Sequence, residues 1–382
     1  MIQIIYKLKI IKTMKNFKKI ILGIVITFLG IASISSCGGN RKSDSKETII
    51  IGVVVPLTGN AGVLGDYTLK GLQCAVEEQN SKGGLFGEKI VLDIQDSKAD
   101  PKEGVSIVKK MMVQKNKPFL VYSIMSGVTQ AIKPETEANK VILMSAVGTD
   151  KFLENSNYTI RNYVAATTIG KELSQFLKDT MQVSNLTIFY SNNEYGKSVK
   201  DAVVKSCTEK NINVVIEPFE ETSLDYKSLI AAKINKNTEC VYVAGVGTGL
   251  GTMFKQIKES GYTSKLISDQ LITFPDVEKA AGVTLKGIPY LDFAFDPNSK
   301  NASIQTFVNG FENKFKTPPQ NFSVITYDGV KLLFSLIEKT GTLDSDSLIT
   351  ELNKVQGYQG VFGPVSVTNR NINFNFVFKT WN

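Results

Sequence analysis

The chain has 382 residues, 42% of them hydrophobic, with 44 Lys and Arg against 36 Asp and Glu, a formal charge of +8. Lys7, Lys9, Lys12, Lys15, Lys18 and Lys19 fall in residues 1–36, which hold no acidic side chain; without them 38 basic groups face 36 acidic ones. So balanced a domain offers nucleic acid no electrostatic footprint, and the absence of histidine removes Ser-His-Asp and Cys-His catalysis in their usual forms and the commonest ligand of catalytic zinc.

The start of the chain reads as an address. A basic stretch leads into an apolar run, Ile20–Ile34, and then into Ser35-Ser36-Cys37. That is the order of an export signal, and the run is short for a membrane span, which needs roughly 20 apolar residues. Ile34-Ser35-Ser36-Cys37 resembles a bacterial lipobox, which implies cleavage after residue 36 and a lipid on Cys37. The alternatives are a buried apolar segment and an uncleaved anchor. Met14, ahead of Lys15-Asn16-Phe17-Lys18-Lys19, competes with Met1 as the start. Residues 37–47 are polar and predict a flexible tether. What remains is long enough for two domains. Cys74, Cys207 and Cys240 are an odd set; export permits a Cys207–Cys240 bridge, and three buried thiols are the other reading.

From Thr48 strands and helices alternate. Ile49–Val55 is a β-branched run that predicts a buried strand, and Pro56-Leu57-Thr58-Gly59-Asn60 supplies turn chemistry. Leu69, Leu72, Val76 and Gln79 share one face of a helix over Tyr67–Gln79, which Gly83-Gly84 stops. Ile90–Ile94 is the next strand. Asp100 caps a helix whose first turn holds Pro101 and whose stripe is Val105, Val108 and Met112. Strand Phe119–Tyr122, helix Val128–Asn139 and strand Val141–Met144 follow. The rhythm restarts near Thr167, with helices over Lys171–Met181, Tyr195–Lys210, Asp225–Ile234 and Thr252–Ser260. Strands Leu186–Tyr190, Val214–Glu217, Val241–Ala244 and Leu266–Ser268 fall between and after them. Such alternation predicts parallel sheets, and two runs in succession predict two α/β lobes. Phe307–Phe315 and Val330–Lys339 read as helices, and the alternation within 361–382 reads as terminal strands that complete the lobes.

In parallel sheets ligands bind beyond the carboxyl ends of the strands. After Phe119–Tyr122, Ser126 and Gly127 open a helix, whose free N–H groups attract an anion; a plain N-cap is the competing role for Ser126. After Val141–Met144 come Val147, Gly148 and Thr149, small enough for close approach, with a hydroxyl that either binds or caps. After Leu186–Tyr190, Tyr195 stands at a helix start, over the cleft or in the core. Gly245-Val246-Gly247-Thr248-Gly249-Leu250-Gly251 misses the dinucleotide spacing, and the glycines there predict close packing.

Ile51-Gly52-Val53-Val54-Val55-Pro56-Leu57-Thr58-Gly59, Gly65-Asp66-Tyr67, Asn80-Ser81-Lys82-Gly83-Gly84, Asp96, Asp100-Pro101, Tyr195-Gly196-Lys197, Tyr327-Asp328-Gly329 and Gly360-Val361-Phe362-Gly363-Pro364 come in the order of a known family. Over residues 48–382 the chain resembles the periplasmic leucine/isoleucine/valine-binding proteins of ABC importers. The resemblance implies an α/β fold of the periplasmic-binding-protein type I: two doubly wound parallel-sheet lobes joined by three hinge crossovers. Lobe 1 would take 48–164 and 292–361, and lobe 2 would take 165–291 and 362–382, with crossings near 164–168, 288–293 and 361–364. It implies an amino acid, branched-chain or otherwise apolar, held between the lobes. Ser126, Gly127 and Thr149 would take its carboxylate, and the Val147 carbonyl with Thr149 its ammonium. Tyr195 would close over it, and Phe322 and Leu64 would wall its side chain. The family's glutamate falls on Gln270, beside Asp269. A neutral amide leaves the ammonium without a counter-charge, so a carboxylate or amide lacking the amino group competes. The implied protein is a monomer with no cofactor that meets permease and ATPase subunits while tethered to the membrane through Cys37. A ligand sensor of the same fold is the rival role. An exported enzyme is disfavoured, since no G-x-S-x-G elbow or metal cluster is present.

Overall fold

The computed structural model describes residues 48–262 and 265–382. The expected leader, tether and lipidation site at Cys37 lie outside them. β1 (Ile49–Val55), β2 (Ile90–Asp96), β3 (Leu120–Ile124), β4 (Ile142–Ala146) and β5 (Thr159–Arg161) come first, separated by helices Gly62–Ser81, Pro101–Met112 and Ser126–Ala138. β1 is β-branched at every position but Gly52 and almost wholly buried, as a strand covered on both faces must be. Asp100 caps its helix, accepting the Lys102 N–H at 2.7 Å, with Pro101 in the first turn where its missing N–H costs nothing.

The second series runs β6 (Asn185–Ser191), β7 (Asn213–Phe219), β8 (Cys240–Ala244), β9 (Lys265–Asp269) and β10 (Pro289–Phe293), interleaved with helices that include Ala166–Asp179, Glu194–Glu209 and Gly247–Glu259. Helices Ala302–Phe315 and Asn321–Thr340 follow, then β11 (Tyr358–Gly360), β12 (Gly363–Thr368), β13 (Asn371–Asn373) and β14 (Phe376–Thr380).

Two sheets result. The first has the order β2-β1-β3-β4-β5-β13-β12-β11 and the second β7-β6-β8-β9-β10-β14. The pairs from β2 through β5 to β13 are parallel, as are those from β7 to β10. The late strands make both sheets mixed: β12 pairs antiparallel with β13, β11 with β12, and β14 with β10.

The chain passes between the lobes three times, at 162–165, 294–301 and 374–375. Two of these differ from expectation. β10 occupies 289–293 and belongs to the second sheet, so the second passage follows it. The break at 361–362 is a turn between β11 and β12 within the first sheet rather than a passage, and residues 363–373 stay in lobe 1. The reason is Asp328 in the Asn321–Thr340 helix, whose carboxylate accepts the Val361 and Phe362 N–H groups at 2.8 and 2.9 Å and pins the turn there.

Aromatic rings pack the three passages together. Phe293 meets Tyr163 at 5.8 Å, Phe362 at 5.3 Å and Phe374 at 5.6 Å between centroids, within the range where ring pairs attract. The buried core runs through this cluster from the first sheet into the second. A smaller core fills the other face of the first sheet, under the Pro101–Met112 and Ser126–Ala138 helices. Cys74, Cys207 and Cys240 are free thiols, the last two buried, so no bridge joins Cys207 to Cys240.

Candidate functional site

The carboxyl ends of both sheets face one another, and a cavity of about 290 Å³ lies between them. From lobe 1 it is walled by residues that follow β1, β2, β3 and β4: Leu64, Pro101, Met125 to Val128, and Ala146 to Gly148. Lobe 2 contributes Asn193, Glu194 and Tyr195 after β6, Val246 after β8 and Leu271 after β9, while Tyr163 from the first passage and Phe322 close the floor. The lobes meet around it. Phe274 of lobe 2 lies 6.3 Å from Tyr67 and 5.5 Å from Phe322, and the Asn60 amide approaches the Glu221 carbonyl at 3.5 Å.

The lobe 1 wall presents the start of a helix. Met125, at φ 70°, turns the chain sharply into the Ser126–Ala138 helix and supplies no side-chain cap. The first-turn N–H groups at Ser126, Gly127 and Val128 have no intrahelical partner, at the positive end of a 13-residue helix, and these three residues line the cavity. The Ser126 hydroxyl lines the same space. Thr149 lies just behind the Val147–Gly148 wall, buried, its Oγ1 without a partner among the described residues. Arg161 fixes this loop: its guanidinium donates to the Thr149 carbonyl at 3.1 Å and pairs with Asp150 at 3.2 Å. Burial draws the Arg161 guanidinium down from its usual range, and Asp150 opposes that.

The lobe 2 wall rests on a buried acid. Tyr195 places its ring against the cavity and donates its hydroxyl to Asp269 at 3.1 Å. Tyr242 donates to the same carboxylate oxygen at 2.6 Å, and the Leu271 N–H to the other at 3.1 Å. Burial pushes the Asp269 carboxyl up, and the three donors hold it down in part. Burial also raises the Tyr163, Tyr195 and Tyr242 phenols, so all three stay protonated. Gln270 donates its amide to the Tyr163 hydroxyl and leaves its buried Oε1 without a partner among the described residues. Gly148 lets the Tyr195 ring come close, since a Cβ there would sit 3.3 Å from it.

Of the residues expected at a site, the structure brings Leu64, Ser126, Gly127, Val147, Tyr195 and Phe322 to the cavity wall. Thr149, Asp269 and Gln270 stand one layer behind it, where Leu271 takes the place expected for the 268–270 loop. The reason is local: Asp269 ends β9 and caps a short 3-10 turn over Gln270–Thr273, which swings the chain inward. Sequence reasoning did not single out Tyr163, Met125, Val246, Glu194 or Leu271. Met125, Val246, Glu194 and Leu271 follow strand ends, a signal that could have found them; Tyr163 also follows one, β5, a three-residue strand that the sequence pattern did not reveal.

The arrangement can hold a small molecule with one anionic end and an apolar body. No group of Cys, Asp and Glu among the described residues is placed to hold a metal ion.

Comparison with known proteins gives the family and the fold. A family model described as periplasmic binding protein matches residues 48–376. A Leu/Ile/Val-binding protein homolog of Brucella abortus is 27% identical over 344 residues, covering 88% of this chain and 89% of that one. Among solved structures, the branched-chain amino acid transporter substrate binding protein of Streptococcus pneumoniae in complex with isoleucine superimposes with a TM-score of 0.79. It is 21% identical and covers 88% of this chain and 97% of its own. A Rhodopseudomonas palustris solute binding protein in complex with benzoate gives a TM-score of 0.79 at 21% identity, covering 87% of this chain and 93% of its own. These likenesses concern the fold.

Proposed function

The chain belongs to the periplasmic binding protein family, and on that premise we propose that it is the exported, lipid-anchored receptor of an ABC importer for a branched-chain or other apolar amino acid. The observation that carries this reading is the uncapped start of the Ser126–Ala138 helix, which opens into a cavity walled by Leu64, Val147, Leu271 and Phe322. The helix end binds a carboxylate, and the apolar wall takes an aliphatic side chain. Relatives named for leucine, isoleucine and valine support the choice of ligand. The basic leader and Ile34-Ser35-Ser36-Cys37 support export and lipidation at Cys37.

Binding and closure are one event in this reading. The three passages form the hinge, and a ligand touching both lobes favours the closed state by its differential contacts. A micromolar ligand needs about −8 kcal/mol, within reach of charge-assisted bonds at the helix start together with a desolvated cleft. The closed protein then docks on a permease and its ATPase, held near them by the lipid. A second reading has an observation of its own. Asp269 is already taken by two phenols and a backbone N–H, so an apolar carboxylate without an amino group also suits the wall.

Thermal-shift screening of residues 38–382 against amino acids, aromatic and aliphatic carboxylates, amides, sugars and nucleosides tests the proposal. Stabilisation by apolar amino acids or carboxylates is expected. Stabilisation by sugars or nucleosides alone overturns it.

A further inference from the structure

Resting on the amino-acid reading, we infer that Glu194 receives the ligand's ammonium group and thereby sets the preference for an amino acid over the same acid without nitrogen. Among the described residues that line the cavity, Glu194 is the one carboxylate. It is the first residue of the Glu194–Glu209 helix, half-buried, with its helix already capped by the Asn193 side chain on the Gly196 N–H at 2.9 Å. No hydrogen bond or ion pair engages its carboxylate among the described residues.

Two lysines, Lys133 and Lys151, share its surroundings, and neither forms an ion pair with it among the described residues. A shallower depression continues from the cavity past Gly127, Lys133, Lys151 and Glu194. Lys133 could have neutralised it, but its ammonium is spent on the carbonyls of Lys151, Phe152 and Glu154 at 3.2, 3.3 and 3.0 Å. Asp269 and Gln270, the pair that the resemblance sets at the ammonium, are not free for one. Asp269 holds three donors behind the Tyr195 ring, and Gln270 is neutral and stands behind the wall.

The geometry suits a zwitterion. An α-amino acid carries its carboxylate and ammonium on one carbon, so a carboxylate at the Ser126–Gly127 amides puts the ammonium beside Gly127. Glu194, on the opposite lobe, borders both the cavity and the depression together with Gly127. The two ends of the ligand then bind to different lobes, and both contacts exist together only when the cleft is shut. A ligand without the ammonium holds lobe 1 alone by its charge and drives closure less.

The bland role for Glu194 is to complement the dipole of its own helix. Calorimetric titration of residues 38–382 and the Glu194→Gln variant with L-leucine and with 4-methylpentanoate separates the two. Loss of a charge-assisted contact should cut leucine affinity by about tenfold or more and leave 4-methylpentanoate unchanged or tighter. A dipole role moves the ligand-free melting temperature and leaves the ratio of the two affinities alone; an unchanged ratio overturns the inference while the amino-acid reading stands. A wild-type protein that binds 4-methylpentanoate but not leucine, or neither, overturns the amino-acid reading and this inference with it.

Discussion

The Arg161 guanidinium donates to the Thr149 carbonyl at 3.1 Å, so the last residue of β5 holds the loop that ends β4. The same group pairs with Asp150 at 3.2 Å, and Asp150 accepts the Thr167 N–H and hydroxyl at 3.1 and 3.2 Å across the first passage. One chain of contacts thus joins the loop after β4 in lobe 1 to the first helix of lobe 2. Arg161→Met keeps the volume and removes the donors. Because Asp150 is partly exposed, the expected loss of stability is about 1–3 kcal/mol, with a weaker ligand affinity beside it. Urea melts and calorimetric titration measure the two. Stability lost with affinity intact would show that the loop's position does not depend on Arg161.

Ser126→Ala and Thr149→Ala probe the grip itself. Ser126 lines the cavity, and the Thr149 Oγ1, behind its wall, is buried without a partner among the described residues, a position that a ligand or an internal water must satisfy. Each substitution should weaken binding by about 1–3 kcal/mol, the range for a hydrogen bond to a charged group. Ligand-free melting should move less for Ser126→Ala than for Thr149→Ala, since only the second hydroxyl is enclosed. Unchanged affinity in both variants would move the anion site elsewhere.

The order of strands and helices was legible because the local chemistry agrees with the fold: the β-branched β1, and the Asp100-Pro101 start that caps its own helix. The motifs that carried the resemblance now have causes. Asp96 accepts the Leu57 N–H at 2.8 Å and the Thr58 hydroxyl at 2.6 Å, tying the first loop to β2. Gly329 admits the Asn162 side chain, which a Cβ would meet at 2.2 Å, and Gly360 admits the Asp328 carboxylate, which a Cβ would meet at 2.4 Å. The third passage was not legible. β12, β13 and β14 all read as alternating strands, and the bond that decides which sheet takes them joins Asp328 to Val361, residues far apart in sequence. Gln270 was carried over from the family's glutamate by its place in the sequence, and the 3-10 turn that starts at Gln270 sets it behind the cavity wall.

Tyr195 has two roles that substitution can separate. Its ring walls the cavity and its hydroxyl serves Asp269. Tyr195→Phe keeps the wall and removes one donor from a buried acid, which should cost about 1–2 kcal/mol of stability and little affinity. Tyr195→Ala should weaken binding by at least roughly tenfold through lost burial. Paired melts and titrations distinguish them, and a large affinity loss in Tyr195→Phe would mean that the hydroxyl meets the ligand directly.

Asp328 predicts a pH dependence. Burial pushes its carboxyl up to about 6, although the Phe362 and Val361 N–H groups draw it down. In the unfolded chain the same group titrates near about 3.9. Between those values the native state holds a proton that the unfolded state lacks, so lowering the pH from 6 towards 4 adds stability, and the gain is lost as the pH rises through 6. The size is on the order of 2–3 kcal/mol. Glu78 works in the opposite sense. Burial raises it, but hydrogen bonds from Lys331, Lys82 and Tyr327 prevail and bring it to about 2, so its contribution is lost below about pH 4.3, the unfolded value. Asp328→Asn removes the first effect and keeps the second. The variant should be less stable at every pH, because one of the two turn amides loses its acceptor, and its gain between pH 6 and 4 should be smaller than that of the parent. Urea midpoints at pH 4, 5, 6 and 7 for both proteins check this; parallel profiles would mean that the Asp328 carboxyl titrates alike in the folded and unfolded chain.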